Sequence, residues 1–150
     1  MKKKTKAVLT GCLIIVAAGA GFFLWSAFGD HSETGVRHSQ VTWLPATASD
    51  ISFYRNSNIG GVQIYEFRIS RADFEALAME EGWGVKPFEE RKTVTRYTQL
   101  LPAGHPDQKP PFLAESSSGL FFEKRASNGG GVTVLYDTGS GTAFVNKSNR

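Results

Sequence analysis

The sequence predicts an α+β protein: an N-terminal transmembrane helix, then a small antiparallel β-sheet domain with one helix packed on one face. Three observations predict this class. Residues 7–28 form an uncharged apolar run, several short segments are rich in β-branched and aromatic residues, and one segment near residues 71–81 has helical spacing. The predicted order is β-β-α-β-β-β-β with short connections, because a crossover parallel sheet needs more helices than this chain offers.

The apolar run 7–28 is long enough to cross a bilayer. At about 1.5 Å per residue a helix over this run measures about 33 Å, slightly more than the roughly 30 Å hydrocarbon core. The run is preceded by four lysines, Lys2, Lys3, Lys4 and Lys6. These charges predict a cytoplasmic N-terminus, and Trp25 suits the membrane–water interface. We therefore expect a single-pass protein of the cytoplasmic membrane with its C-terminal domain on the extracytoplasmic (periplasmic or cell-surface) side.

Two other interpretations of this segment stay open. A cleavable signal peptide has a shorter apolar stretch, of about 7–15 residues, and a cleavage site between small residues. Here the run is longer and ends in bulky aromatic residues. Leu9-Thr10-Gly11-Cys12 resembles the bacterial lipobox, whose cysteine is lipidated, but too few apolar residues separate Lys6 from Cys12. An uncleaved anchor therefore fits the segment best.

Charge and cysteine content exclude several classes of function. The chain has 17 lysines and arginines against 14 acidic residues, and all the acidic residues lie at or beyond Asp30. Without the four N-terminal lysines the exported part is near neutral, so nucleic acid is not an expected partner. Cys12 is the only cysteine, which excludes disulfides, thiol nucleophiles and cysteine metal sites beyond the anchor. No cofactor or metal is expected.

The predicted organisation has four parts. A basic cytoplasmic tail (1–6) precedes the anchor (7–28), a polar aperiodic linker follows (29–40), and one α+β domain occupies 41–150. Within the domain, strands are predicted at residues 51–55, 62–69, 92–99, 120–125, 132–136 and 142–145.

A helix is predicted over 71–81. Ser70 begins it as an N-cap, Phe74 and Leu77 have helical spacing, and Gly82 ends it. In the strand before it, alternation places Tyr65, Phe67 and Ile69 on one face and Glu66 and Arg68 on the other.

Asp137-Thr138-Gly139-Ser140 resembles the active-site turn of aspartic proteases, which would make Asp137 a catalytic carboxylate. That chemistry needs two such aspartates sharing a proton, and the chain has one copy with little sequence after it. A hairpin turn, in which Asp accepts backbone hydrogen bonds, is the favoured interpretation. The histidines, His31, His38 and His105, lack metal-site spacing. Asn146-Lys147-Ser148 has the glycosylation pattern.

The proline-rich loop 100–118 is long for a small domain, and such loops are often functional. Aromatic and polar side chains of this loop and of the sheet face away from the helix are the candidate binding residues: Tyr54, His105, Phe112 and Phe121. An exposed apolar patch there would mark a partner surface. The alternative is that the long loop covers that second sheet face.

Three stretches resemble small uncharacterised bacterial envelope proteins that are membrane-anchored: Leu44–Tyr54, Tyr65–Ser70 and Asp73-Phe74. The resemblance implies an envelope location and no activity. The leading hypothesis is a non-enzymatic binding or interaction module of the cell envelope, with an envelope protein as partner. The alternative is an envelope enzyme or small-ligand binder using the 100–118 loop, which a pocket lined by Arg96, His105 and Asp107 would favour.

Overall fold

The structure is a computed structural model that describes residues 16–24, 26, 32–57 and 60–149. The chain divides into two compact units between residues 31 and 32. In the first unit, residues 16–24 and 26 are helical. No helix among the described residues combines the length and apolar character needed to cross a membrane. Several residues of the predicted anchor lie outside the described part: Lys2, Lys3, Lys4, Lys6, Cys12 and Trp25.

The second unit is built on antiparallel strands. Their bounds are β1 Ser32–His38, β2 Ser49–Asn56, β3 Val62–Arg68, β4 Lys86–Phe88, β5 Lys92–Thr95, β6 Leu113–Ser116, β7 Gly119–Arg125, β8 Gly131–Asp137 and β9 Thr142–Ser148. Seven of them form one sheet in the order β1-β2-β3-β9-β8-β7-β4, and β5 pairs with β6 in a separate two-stranded sheet. Helix α1 spans Arg71–Glu80, and a short 3-10 helix spans Tyr97–Gln99. The predicted α+β class is confirmed.

The predicted linker is corrected at residues 32–38, which form β1 and pair with β2. Its sequence lacks apolar alternation because it is an edge strand whose side chains are mostly exposed. Gly35 fits there because the ring of Phe53 lies against it, 2.3 Å from where a Cβ would be.

Two further strands were absent from the sequence prediction. β4 contains Pro87, which argues against a strand in general but is tolerated at a sheet edge. β6 lies inside the loop predicted at 100–118, and β5 ends at Thr95, earlier than the predicted 92–99. Short strands of three or four residues carry too little pattern to be recognised.

Helix α1 and one face of the large sheet enclose the main core. The N-cap prediction is confirmed, since the Ser70 hydroxyl accepts from the Asp73 N–H at 3.1 Å. Phe74 and Leu77 are buried against the sheet, as their spacing predicts. The buried residues of this core also come from the 41–48 segment and from alternate positions of the strands: Leu44, Ala48, Ile51, Phe53, Tyr65, Phe67, Ile69, Leu120, Val134, Tyr136, Ala143 and Val145.

The second face of the sheet is covered by residues 92–116, which we call the cover segment. β5 and β6 contribute to a cluster with Phe88, Leu135 and Phe144. The 3-10 helix and Leu101 pack on Ile64. Of the two sequence-based alternatives for this face, the structure therefore supports coverage by the long loop.

Candidate functional site

A partly buried ion pair joins the cover segment to the sheet. Glu66 is on β3 and is 6% exposed, and Arg96 follows β5. Arg96 Nε donates to Glu66 Oε1 at 3.0 Å and to Oε2 at 3.1 Å, and Nη2 donates to Oε2 at 2.7 Å. The Tyr97 N–H also donates to Glu66 Oε1, at 3.2 Å. Such two-pronged geometry holds the guanidinium in one orientation.

The electrostatics of the pair follow from this geometry. The hydrogen bonds with Glu66 raise the pKa of Arg96 above its ordinary value, although burial partly opposes them. Burial raises the pKa of Tyr97, and a hydrogen bond with Ser52 offsets part of that effect. Arg96 is therefore a permanent cation. A guanidinium has five N–H donors, and Glu66 leaves some of them free for a ligand.

Arg96 lines two open depressions. The first, of about 520 Å³, we call the arginine depression, and its charged lining residues are Arg37, Asp50, Glu66, Arg68, Arg96 and Asp107. The second, of about 930 Å³, we call the Phe112 depression, and its lining includes Arg96, Pro111, Phe112, Leu113, Thr142 and Phe144. Both volumes fall within the roughly 300–1,000 Å³ range of ligand sites.

Backbone strain coincides with the arginine depression. Arg37 (φ 53°) and Asp50 (φ 50°) are the non-glycine residues with positive φ in the described part of the chain. Each lies at an irregularity in strand pairing, between Gly35 and His38 for β1 and between Ser49 and Ser52 for β2. A left-handed conformation at a non-glycine residue costs on the order of 1 kcal/mol, and such residues cluster at functional sites.

The predicted binding residues have different fates. Tyr54 and Phe121 are partly buried and pack against the apolar clusters under the cover segment. They therefore support the cover segment rather than form an open patch. Phe112 is 37% exposed and lines the Phe112 depression. His105 Nδ1 accepts from the Asp107 N–H at 3.2 Å. Asp107 lines the arginine depression with Arg96, but His105 is not among its lining residues.

The Asp-Thr-Gly-Ser sequence closes the β8–β9 hairpin. Asp137 accepts hydrogen bonds from the Ser116 hydroxyl (2.5 Å) and from the Ser140 hydroxyl (2.5 Å) and N–H (2.8 Å). Burial raises the pKa of Asp137, but these hydrogen bonds together outweigh it and leave the pKa below its ordinary value. The turn interpretation is thus consistent with the contacts, which use the carboxylate's acceptor positions.

Two other sequence signals are explained by structure. Asn146 Nδ2 donates to the Thr95 carbonyl at 3.1 Å, so the amide that a glycosylation site would offer is engaged within the fold. Among the residues that the structure describes, no group of three or more His, Cys, Asp and Glu is placed to hold a metal.

Comparison of the chain with protein-family models, curated proteins and solved structures found no match.

Sequence reasoning missed the Glu66–Arg96 pair as a unit. Alternation placed Glu66 on the face away from the helix, where an acidic residue is expected to be exposed to solvent. The one signal was that this face also carries Ile64 and Phe144, since an acid among apolar neighbours needs a buried cation. Nothing local connects it to Arg96.

Proposed function

We propose that this chain is a non-enzymatic binding module of the bacterial cell envelope, tethered to the membrane by its N-terminal segment, whose partner is an envelope protein. The proposed docking surface consists of Phe112 and Leu113 together with the Phe112 depression. Phe112 and Leu113 belong to the 100–118 loop, which the sequence predicts to be functional.

The observation that carries this proposal is an adjacent pair of exposed apolar side chains beside a depression. Phe112 is 37% and Leu113 48% exposed, while Phe144, which also lines the depression, is buried. Large apolar side chains that are exposed side by side typically mark an interaction surface. Arg96 adds a polar group to the lining, and arginines with aromatic residues are enriched where interfaces bind most strongly.

The surface is also held in place before a partner arrives. Arg96 binds Glu66, and the Thr95 carbonyl accepts from Asn146 on β9. Both contacts connect the cover segment to the central strands of the sheet. A preorganised surface loses less conformational entropy on binding, which favours a docking role.

The non-enzymatic part of the proposal is supported by how the reactive groups are used. Asp137 accepts three hydrogen bonds within its own turn and from Ser116. Ser116 is buried, and the carboxylate to which it donates has a lowered pKa and is therefore a weak base, so this hydroxyl is neither accessible nor activated as a serine nucleophile needs to be. His105 uses Nδ1 as an acceptor within its loop.

The membrane placement is supported by the sequence: lysines before an uncharged apolar run. A reporter fused after Arg150 should be active only outside the cytoplasm. Recovery of the exported full-length protein outside the membrane fraction would contradict the tether.

Crosslinking in cells tests the docking surface. A photoreactive residue at Leu113 should capture a discrete partner, and the same residue at Met79, which is 82% exposed on α1, is the matched control. Phe112→Ala should reduce the Leu113 adduct while leaving the protein level unchanged. Equal capture from both positions, or an adduct insensitive to Phe112→Ala, would show that the surface is elsewhere.

Small-ligand binding is a second candidate, and one observation favours it. Arg96 and Asp107, which the sequence-based alternative named together, line the arginine depression. Its lining shares Glu66, Arg96 and Thr142 with the Phe112 depression but does not include Phe112 or Leu113, so the two candidates can be tested at different residues.

A further inference from the structure

The arginine depression carries charges of both signs, and most of them are already balanced. Glu66 is paired with Arg96 at 2.7 Å, and Asp50 lies 3.6 Å from Arg68. Two charges of its lining differ from these. Within the described part of the chain the Arg37 guanidinium has no ion-pair partner, and its backbone N–H donates to the buried Ser52 hydroxyl at 3.2 Å.

Asp107 supplies the other charge. Its Oδ2 lies 3.8 Å from His105 Nδ1, but that nitrogen accepts a hydrogen bond from the Asp107 N–H. The separation of 3.8 Å is beyond hydrogen-bond distance. Within the described part of the chain the Asp107 carboxylate oxygens therefore accept no hydrogen bond and are open to a ligand.

We propose that the arginine depression binds a small zwitterion, a free amino acid or short peptide, with the ligand's carboxylate on Arg37 and Arg96 and its ammonium on Asp107. The depression presents the Arg37 guanidinium, which has no ion-pair partner among the described residues, and the Asp107 carboxylate, which accepts no hydrogen bond there, and its volume of about 520 Å³ admits a dipeptide. This inference rests on the small-ligand candidate; it shares Arg96 with the Phe112 surface, but Arg37 and Asp107 belong to this depression alone.

The strained backbone supports the assignment. Arg37 and Asp50 both have positive φ and both line this depression. Each of the two residues lies where the strand pairing shifts register. An exposed arginine needed only for solubility would not require a left-handed backbone, because any regular strand position could hold it.

Arg96, which would bind the ligand's carboxylate together with Arg37, is already held in one orientation before a ligand binds. Glu66 holds Arg96 through Nε and Nη2, leaving other N–H groups to bind a carboxylate. Since the lining has three arginines and three acids, a ligand with a single charge leaves one of the two unpaired groups unsatisfied. A zwitterion satisfies both.

Binding of alanyl-alanine to the full chain in detergent, followed by NMR titration or calorimetry, tests the inference. The expected dissociation constant is on the order of 1 mM. N-acetyl-alanyl-alanine, which lacks the ammonium, and alanyl-alanine amide, which lacks the carboxylate, should each bind about tenfold more weakly or worse.

Two variants test which side chain binds the ligand's carboxylate and which binds its ammonium. Arg37→Gln should remove the preference for the free peptide over its amide, and Asp107→Asn should remove the preference over the acetylated form. Arg71→Gln, an exposed arginine on α1 paired with Glu75, is the control and should bind as the parent does.

No saturable binding of alanyl-alanine, or binding that is indifferent to both blocking groups and both variants, would overturn the inference. Such a failure would leave the crosslinking experiment at Leu113 unaffected, because that surface does not include Arg37 or Asp107. The two proposals can therefore fail separately.

Discussion

Glu66 is a charged residue that the fold has placed where charges are costly. At 6% exposure its carboxylate depends on Arg96 and on the Tyr97 N–H for the hydrogen bonds that water would otherwise donate. A buried pair of this kind is weak evidence for stability, because the desolvation of both ions offsets their attraction. Its clearer consequence, we infer, is specificity, since Arg96 reaches Glu66 only when the cover segment lies on this part of the sheet.

Arg96→Met should destabilise the domain by about 3 kcal/mol, because Glu66 is left buried without a counter-charge. Glu66→Met combined with Arg96→Met should recover at least half of that loss. Urea unfolding followed by tryptophan fluorescence measures both. Arg55→Met is the control: its pair with Glu33 is exposed and should cost under about 1 kcal/mol. If the double variant were no more stable than Arg96→Met, the pair would not be the source of the cost.

Asp137 gives a pH dependence whose sign follows from its lowered pKa. A carboxyl group with a lower pKa in the folded state contributes stability above its unfolded pKa of about 3.9, and the contribution disappears as pH falls through the folded value. Asp137→Asn should therefore narrow the difference in unfolding free energy between pH 7 and pH 3. Ser116→Ala should narrow it less, because the Ser140 contacts remain. An unchanged difference in Asp137→Asn would contradict this assignment.

At the scale of elements, the pairing of β7 with β8 leaves no room for a side chain at Gly119. A Cβ added to Gly119 would lie 1.8 Å from the Tyr136 carbonyl oxygen, which is backbone and cannot move without breaking the strand pairing. The register of β7 on β8 thus depends on Gly119.

Gly119→Ala should cost about 2 kcal/mol or more for this steric reason. Gly84→Ala is the matched control, since a Cβ there would have no atom within 4 Å, and it should change stability by no more than about 0.5 kcal/mol. Thermal unfolding of the two variants measures the contrast. Equal effects would mean that the strand pair adjusts at Gly119.

A second tie between elements is made by Lys147 on β9. Its Nζ lies 4.7 Å from the Trp43 ring centroid, 5.3 Å from that of Trp83 and 2.9 Å from a carboxylate oxygen of Glu81. The contact joins the sheet, the end of α1 and the segment before β2, and none of the local patterns that predicted those elements indicates it.

At the scale of the whole molecule, the start of the folded domain differs from the sequence-based boundary. The linker prediction ends at residue 40, yet β1 begins at Ser32 and pairs with β2. β1 supplies Gly35 under Phe53 and Val36 to the cluster with Ile64.

A protein beginning at residue 32 should therefore be more stable than one beginning at residue 41. Without β1, the edge of β2 is open and Phe53 loses part of its cover, so we expect a loss of at least about 1 kcal/mol, or roughly 4–8 °C in Tm. Thermal unfolding of the two purified proteins measures it. Identical Tm values would show that β1 does not stabilise the domain, as expected of a linker.

The sequence by itself determined the α+β class, helix α1, its cap and the alternation of β3, because each depends on neighbours a few residues apart. It also supplied the anchor prediction, which depends on composition and charge alone. The tertiary structure decided the role of β1, the cover over the second face and the meeting of Glu66 with Arg96. These depend on contacts across 15 to 31 positions of the chain, and side-chain identity at one position carries no record of such a distant neighbour.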